Sequence, residues 1–499
     1  MSRKMPSRRD RLGHEDLRDA RSDRALATWE DEGGSIVGAP DVRSGRELTR
    51  GLRETNTDVD KVNPRSAALP TEIVDRFTKP FGRFLKIESA SGVVLLVATC
   101  AALILSNSPW SAPFFGFWDT PLGFRLGSFD FTRSLQHWIN DALMTLFFFV
   151  VALELKRELV LGELRGWREA ALSLSAALGG MLLPVSIYLA LTANKPGMHG
   201  WGTVMATDTA FVIGCLAVLG SRIPPSLRLF LLSLAIFDDV GAILVVAAAY
   251  GGTLAWPALA VSALGIAVVF GAARLGIRSV PVYFVLGGAV WFAFDVSGIH
   301  PTVAGVVLGL MTPARGWVSD DRLNALFKRV VAYPKGDHWS GDTEDRAHLR
   351  QAGRAAREAL SPVERLEMKL HPWAGFLIMP LFALANAGVA ISGVGLLEPV
   401  SVAIFASLVL GKPIGVVALS WLAVRLGLAT RPAELSWAFL GGGALLTGIG
   451  FTMSLFIAGL AYSPAMLDAA KVGILGGSVV SAAAGLLVLG WLIHQKRTT

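Results

Sequence analysis

Cysteine is almost missing from this 499-residue chain: Cys100 and Cys215 are the only two, each inside an apolar run. So isolated a pair gives neither a disulfide framework nor a zinc-binding spacing. The eight histidines are scattered, with no HExxH and no pair at i, i+4. No P-loop and no GxSxG elbow occur, which removes the usual signatures of nucleotide and serine-hydrolase chemistry. Charge is also scarce, at 17% against 53% hydrophobic residues. A chain of this length with so few charges is not an ordinary soluble globule. Its apolar residues fall instead in long blocks, as membrane spans require. The net charge of +7 would point to nucleic acid in a soluble protein. Here Lys and Arg flank the apolar blocks, where orientation explains them better, and nucleic acid is not expected as a partner.

Residues 1 to about 85 are polar, Arg-rich and without an apolar h-region, so no signal peptide is expected. They read as a largely disordered cytoplasmic tail, in which Thr71 to Glu88 has the pattern of a short surface helix interrupted by Pro80. About twelve spans follow, at roughly 89–108, 137–156, 170–192, 202–220, 227–250, 257–274, 281–297, 300–313, 373–391, 399–423, 437–461 and 471–493. One large soluble insertion, about 314–371, separates the eighth from the ninth. Its second half has a helix start at Ser361, Pro362 and Glu364. With both termini inside, inner connections carry Lys156, Arg157, Arg222, Arg228, Arg274, Arg425, Arg431, Lys496 and Arg497, besides the basic insertion. Outer ones carry only Arg125, Arg133 and Lys195, with Lys471 at an edge.

Two adjacent acids, Asp238 and Asp239, sit near the middle of the run from Leu227 to Tyr250. A carboxylate at that depth costs several kcal/mol, and two neighbours about 100° apart on a helix cannot both face lipid. They read as the ion site; the competing reading is structural pairing with buried cations. Thr207-Asp208-Thr209 places three hydrogen-bonding side chains in succession at membrane depth, which suits an unwound stretch. Lys412, followed by Pro413, lies mid-span and must pair, snorkel or lose its proton. Pairing with Asp238 or Asp239 is the economical solution. Gly441 to Gly443, Gly448 and Gly450 make 437–461 a poor continuous helix, although glycines also serve close packing. The interrupted spans 202–220 and 437–461 are the middle members of two three-span groups, 170–250 and 399–493. The pattern predicts an all-α polytopic membrane protein with two inverted repeats and two broken helices crossing at the midplane. At one end of the second span, Glu154 and Glu158 are i, i+4 neighbours with Arg157 between them. Glu364, Glu367 and His371 share a helix face. Both groups read either as titrating entrances or as ordinary solvated helix ends.

Several separated motifs resemble NhaA-type Na+/H+ antiporters: Ala206 to Pro224, Ala235 to Ile243 (AIFDDVGAI), Leu410 to Val416 (LGKPIGV) and Gly448 to Ala461. WINDAL from Trp138 and LELKREL from Leu153 match as well, and the likeness runs from about 85 to 495. That family is itself a known example of the inverted-repeat pattern. The resemblance implies that Asp239 is the principal Na+ ligand and that Asp238 is the partner of Lys412. It implies that Thr207 and Asp208 form the unwound part of the fourth span, with Asp208 balancing helix N-termini and Lys412 balancing C-termini. It ties Glu154, Glu158, Glu367 and His371 to pH response at a cytoplasmic funnel, and gives His300 a pH role within the membrane. The tail and the 314–371 insertion are longer than the family's, and Met368 stands where a His is familiar.

These readings predict a non-enzymatic secondary antiporter of a bacterial inner membrane, multi-pass, with both termini cytoplasmic. It would exchange internal Na+ or Li+ for external protons, electrogenically and without a cofactor, and serve pH and sodium homeostasis. Its domains would be a tail, 1–85, and a transport domain, 86–495. The bilayer is the expected surrounding and a homodimer is allowed for. The alternatives are a sodium-coupled organic-anion symporter and an intramembrane aspartyl protease. The paired acids with Lys412 weigh against the first, and the lack of Gly-x-Gly-Asp against the second.

Overall fold

In a lipid interior, long apolar runs satisfy their backbone polar groups only as helices or closed barrels. The computed structural model resolves them as helices. It describes residues 88–498, apart from 127–128, 161–166, 276, 278, 315, 317, 332–343 and 391–396. The tail expected over 1–85 lies outside the described residues.

The chain enters with α1 (Glu88–Ser106), which turns through 119° into the short α2 (Ser111–Trp118). An antiparallel hairpin follows, β1 (Pro121–Leu126) and β2 (Phe129–Ser134), with Pro121 opposite Ser134. The sequence reading did not foresee this hairpin, because its strands are short and sit in a polar connection. Arg125 bonds Asp130 at 2.6 Å. The Thr132 hydroxyl and that guanidinium hold the Asp130 carboxyl below its ordinary value.

Then come α3 (Leu135–Val160), α4 (Ala170–Thr192), a 3-10 segment (Met198–Val204), α5 (Thr209–Leu219), α6 (Pro225–Ala249) and α7 (Trp256–Arg274). Two short apolar helices, α8 (Val280–Ser297) and α9 (Thr302–Met311), precede the insertion. The insertion contains α10 (Asp320–Val331) and α11 (Glu344–Ala359). The chain closes with α12 (Pro362–Asn386), α13 (Pro399–Arg425), α14 (Trp437–Thr447), α15 (Phe451–Ala461) and α16 (Pro464–Thr498).

By length and apolarity, eight of the described helices can each cross a membrane, or ten spans result if each bent pair counts as one. Twelve spans are expected from the sequence. The two shortest, near 281–297 and 300–313, are α8 and α9, which fall short of that length by themselves. The helix start read at Ser361, Pro362 and Glu364 is present. Residues 362–371 are the first turns of α12, because Ser361 and Glu364 form a reciprocal capping box there.

The main apolar core runs through α3, α4, α5, α6 and α12 to α16. Its tightest crossing joins α4 to α13. A Cβ on Gly179 would stand 2.0 Å from the carbonyl oxygen of Gly415, and a Cβ on Gly415 equally close to that of Gly179. Only glycine allows two backbones so near. Just before Lys412, a π-helical turn (Ser407–Gly411) interrupts α13, where Pro413 has no N–H to continue the ladder.

Candidate ion-binding site

Helix α6 buries Leu227, Leu231, Leu234, Asp238 and Ala242 along one stripe at three- and four-residue spacing. The acids therefore face the protein interior. Asp238 is 0% exposed and Asp239 5%.

Opposite them, the chain between the 3-10 segment and α5 is not helical over 206–208. This frees Thr207 to reach across. Its hydroxyl lies 2.6 Å from Asp238 Oδ2 and 3.1 Å from the carbonyl of Thr447, the last residue of α14. Lys412 Nζ donates to that hydroxyl at 2.5 Å and to Asp238 Oδ2 at 3.1 Å. All three side chains are buried. Of the two acids open on sequence, Lys412 takes Asp238. Oδ1 of Asp238 and Oδ1 of Asp239 are buried and accept no hydrogen bond from the described residues.

Asp208 does a different task. It caps α5 by accepting from the N–H of Phe211 at 3.1 Å. Its other oxygen accepts from the N–H of Thr452 at 3.0 Å and from the Thr452 hydroxyl at 2.5 Å, at the start of α15. One carboxylate thus sits at two helix N-termini, where negative charge is favoured. Its own N–H donates to the carbonyl of Ile449 at 2.7 Å, so the two interrupted segments meet backbone to backbone. The second break, at Gly448 to Gly450, bends α14 against α15 by 42°.

The profile of the family described as Na+/H+ antiporter 1 matches residues 82–489. The chain belongs to that family. The Na+/H+ antiporter NhaA 2 of Acidiphilium cryptum (strain JF-5) is 61% identical over 426 residues, 85% of this chain and 95% of that protein. The NhaA antiporter of Rhizobium meliloti (strain 1021) is 60% identical over 87% of this chain and all of its own length. The NhaA 2 protein of Vibrio vulnificus (strain CMCP6) is 52% identical over 86% and 97%. These relatives are transporters, not enzymes, and the apolar helices make this antiporter-family chain a multi-pass membrane protein.

In this family member the four expected mouth residues converge. Arg157 bonds Glu158 at 2.9 Å and also contacts Glu367. His371 Nδ1 lies 3.2 Å from Glu154. Glu367 is largely buried, Glu154 and Glu158 are partly so, and His371 is exposed. His300 is elsewhere. It sits 3.8 Å from Asp141, bonds Thr302 at 2.8 Å and rests edge-on against Phe456 of α15. Asp141 also meets His137 at 2.8 Å, and Arg133 of the hairpin bonds Asp295 at 2.7 Å.

Sequence reasoning missed Thr447 and Thr452 as contacts, although they flank the Gly448–Gly450 break. It also missed a tyrosine clamp on the 3-10 segment. Tyr188 and Tyr462 share a hydrogen bond of 2.7 Å, and Tyr188 donates to Gly197 at 2.6 Å. Tyr250 donates to His199 at 2.8 Å and accepts from the N–H of Gly202 at 3.0 Å. No spacing rule links residues so far apart in the chain.

Proposed function

We propose that the protein is a secondary Na+/H+ antiporter that extrudes Na+, or Li+, in exchange for external protons. The observation that carries this reading is the pair Asp238 and Asp239. Among the described residues each keeps one buried oxygen without a protein hydrogen bond, and Asp238 meets Lys412 and Thr207 where two interrupted segments come together. Such oxygens suit either a proton or a bare alkali cation, both hard acids. In the proposed cycle the acids release protons inward and take Na+. The site then turns outward, and external protons displace the ion. One set of carboxylates serves both cargoes, so the movements are coupled without a second gate.

Within this reading, Asp239 is the principal ligand, and Asp238, Thr207 and Lys412 form the exchangeable partner set. Asp208 balances the N-terminal ends of α5 and α15. Lys412 reaches the C-terminal end of α14 through Thr207. Twelve spans, in two inverted repeats with broken helices at the midplane, complete the architecture. Residues 86–495 form the transport domain and 1–85 a cytoplasmic tail. Both termini face the cytoplasm of a bacterial inner membrane, and the reading allows for a homodimer. Glu154, Glu158, Glu367 and His371 set the pH response at the inner mouth, with His300 contributing from its separate position. More protons than Na+ cross per cycle, so membrane potential drives export.

The sodium-coupled organic-anion symporter has no support among the relatives, which are named Na+/H+ antiporters. Reconstitution in sealed vesicles tests the proposal. An imposed Na+ gradient should drive opposite proton movement and a membrane potential, with no added organic anion. Na+ uptake that requires an organic anion and moves no proton would refute it.

A further inference from the structure

The insertion between α9 and α12 is left without a task by the ion site, yet it is built as a helical hairpin. Its feet are close together. A Cβ on Gly316 would meet the Ala359 carbonyl oxygen at 2.4 Å, and the N–H of Val363 bonds the Pro313 carbonyl at 3.3 Å. The hairpin therefore springs from the end of the molecule where α12 begins, beside the charged mouth. Helix α10 half-buries Leu323, Leu326 and Val330 at i, i+3, i+7. These pack towards α11, whose Ala352 and Ala355 are buried, at 2% and 6%.

The opposite face of α11 is different in kind. Arg346, Arg350, Arg354 and Arg357 are all exposed. At 100° per residue they fall within an arc of about 80° along the full helix. Gly353 lies about 20° outside that arc, and Leu349, 43% exposed, about 60° outside it on the same side. Glu358, the acid at its end, is engaged by Arg365 at 3.3 Å. Arg357 stands only five residues before Pro362, the first residue of a candidate span.

We infer that this arginine stripe docks the hairpin on anionic lipid headgroups of the membrane that holds the protein. A row of exposed guanidiniums suits phosphodiester groups, because a guanidinium fork offers paired donors to phosphate oxygens, and Arg357 is held in the row by its Nε bond to the Gly353 carbonyl at 3.2 Å. A basic segment beside a span is attracted to an anionic leaflet over about a Debye length. Leu349 fits the boundary between headgroups and acyl chains better than it fits water. A soluble acidic partner would need the arginines but not the exposed leucine, nor their place at the end of a span.

The test uses the full chain in a Cys100→Ser background, with Gly353→Cys carrying an environment-sensitive fluorophore. Gly353 has open space where a side chain would go. Vesicles contain phosphatidylcholine alone, or phosphatidylcholine with about one third phosphatidylglycerol, plus a headgroup-level nitroxide lipid. Quenching should be about threefold greater with the anionic lipid, and should fall at high salt. Arg346→Gln, Arg350→Gln, Arg354→Gln and Arg357→Gln together should abolish the difference. The same four positions as Lys should restore most of it. Na+/H+ exchange in phosphatidylcholine verifies that each variant is folded. Equal quenching in both lipids, or quenching unchanged in the Gln variant, overturns the inference. So does protection of the label by a soluble cytosolic fraction and not by anionic lipid.

Discussion

At Lys412 two demands meet in one side chain. It is wholly buried, so its ammonium needs Asp238 and Thr207 as partners. Removing one member of a buried ion pair costs about 3–5 kcal/mol, because the other charge is left uncompensated. Lys412→Ala should therefore lower thermal stability, as read by melting of the detergent-solubilised protein. Lys412→Arg keeps the charge but cannot release its proton at working pH. If Lys412 carries a proton in the cycle, this variant should be folded and inserted, yet move no net charge per Na+ exchanged. Charge transfer at wild-type stoichiometry would assign Lys412 to a structural role. The same reasoning separates Asp208 from its neighbours. It already accepts three hydrogen bonds from two helix starts, whereas one oxygen of Asp239 accepts none from the described residues.

At the scale of elements, the site depends on how closely α4 approaches α13. Gly415→Ala would put a methyl group 2.0 Å from the Gly179 carbonyl oxygen, so the backbones must separate. Overpacking of this kind costs about 1–3 kcal/mol, and here it would displace Lys412, three residues away. Gly415→Ala should weaken apparent Na+ affinity and lower stability together. Gly441→Ala, which meets nothing within 4 Å, should do neither. Exchange kinetics of the two variants decide the matter. Much of this arrangement was legible in the chain. Asp238, Asp239 and Lys412 stood out because charge at membrane depth is costly, and Thr207-Asp208 and Gly448–Gly450 because they weaken a helix. Other parts were not legible. Lys412 had two acids to choose from, and only the crossing geometry assigns it to Asp238. The bond from Asp208 to Ile449, the cap that Asp208 provides at Thr452 and the Tyr188–Tyr462 bridge join residues more than 200 positions apart, with no local pattern to reveal them. The hairpin of β1 and β2 was hidden by its brevity.

At the scale of the whole molecule, titrating groups among the described residues gather at two further places besides the ion site. One holds Arg157 with Glu158 and Glu367, and the pair His371 and Glu154 beside them. His300 belongs to the other, with Asp141 and His137. If the first network sets the pH response, replacing its three Glu by Gln and His371 by Asn should move the exchange profile by about one pH unit. The maximal rate should change less. Fluorescence-based exchange rates over about pH 6 to 9 measure both. A profile that stays in place would make the network an ordinary solvated helix end.

Competition between Na+ and H+ for one pair of carboxylates is tested most directly by proton release on binding. Purified protein in weakly buffered detergent solution is titrated with Na+, and liberated protons are followed by pH electrode or calorimetry in two buffers. The wild-type protein should release protons in step with Na+ binding. Asp239→Asn should bind Na+ weakly and release none, while remaining folded. Undiminished Na+ binding with wild-type proton release from Asp239→Asn, or Na+ binding to the wild-type protein without any release, would contradict the shared site.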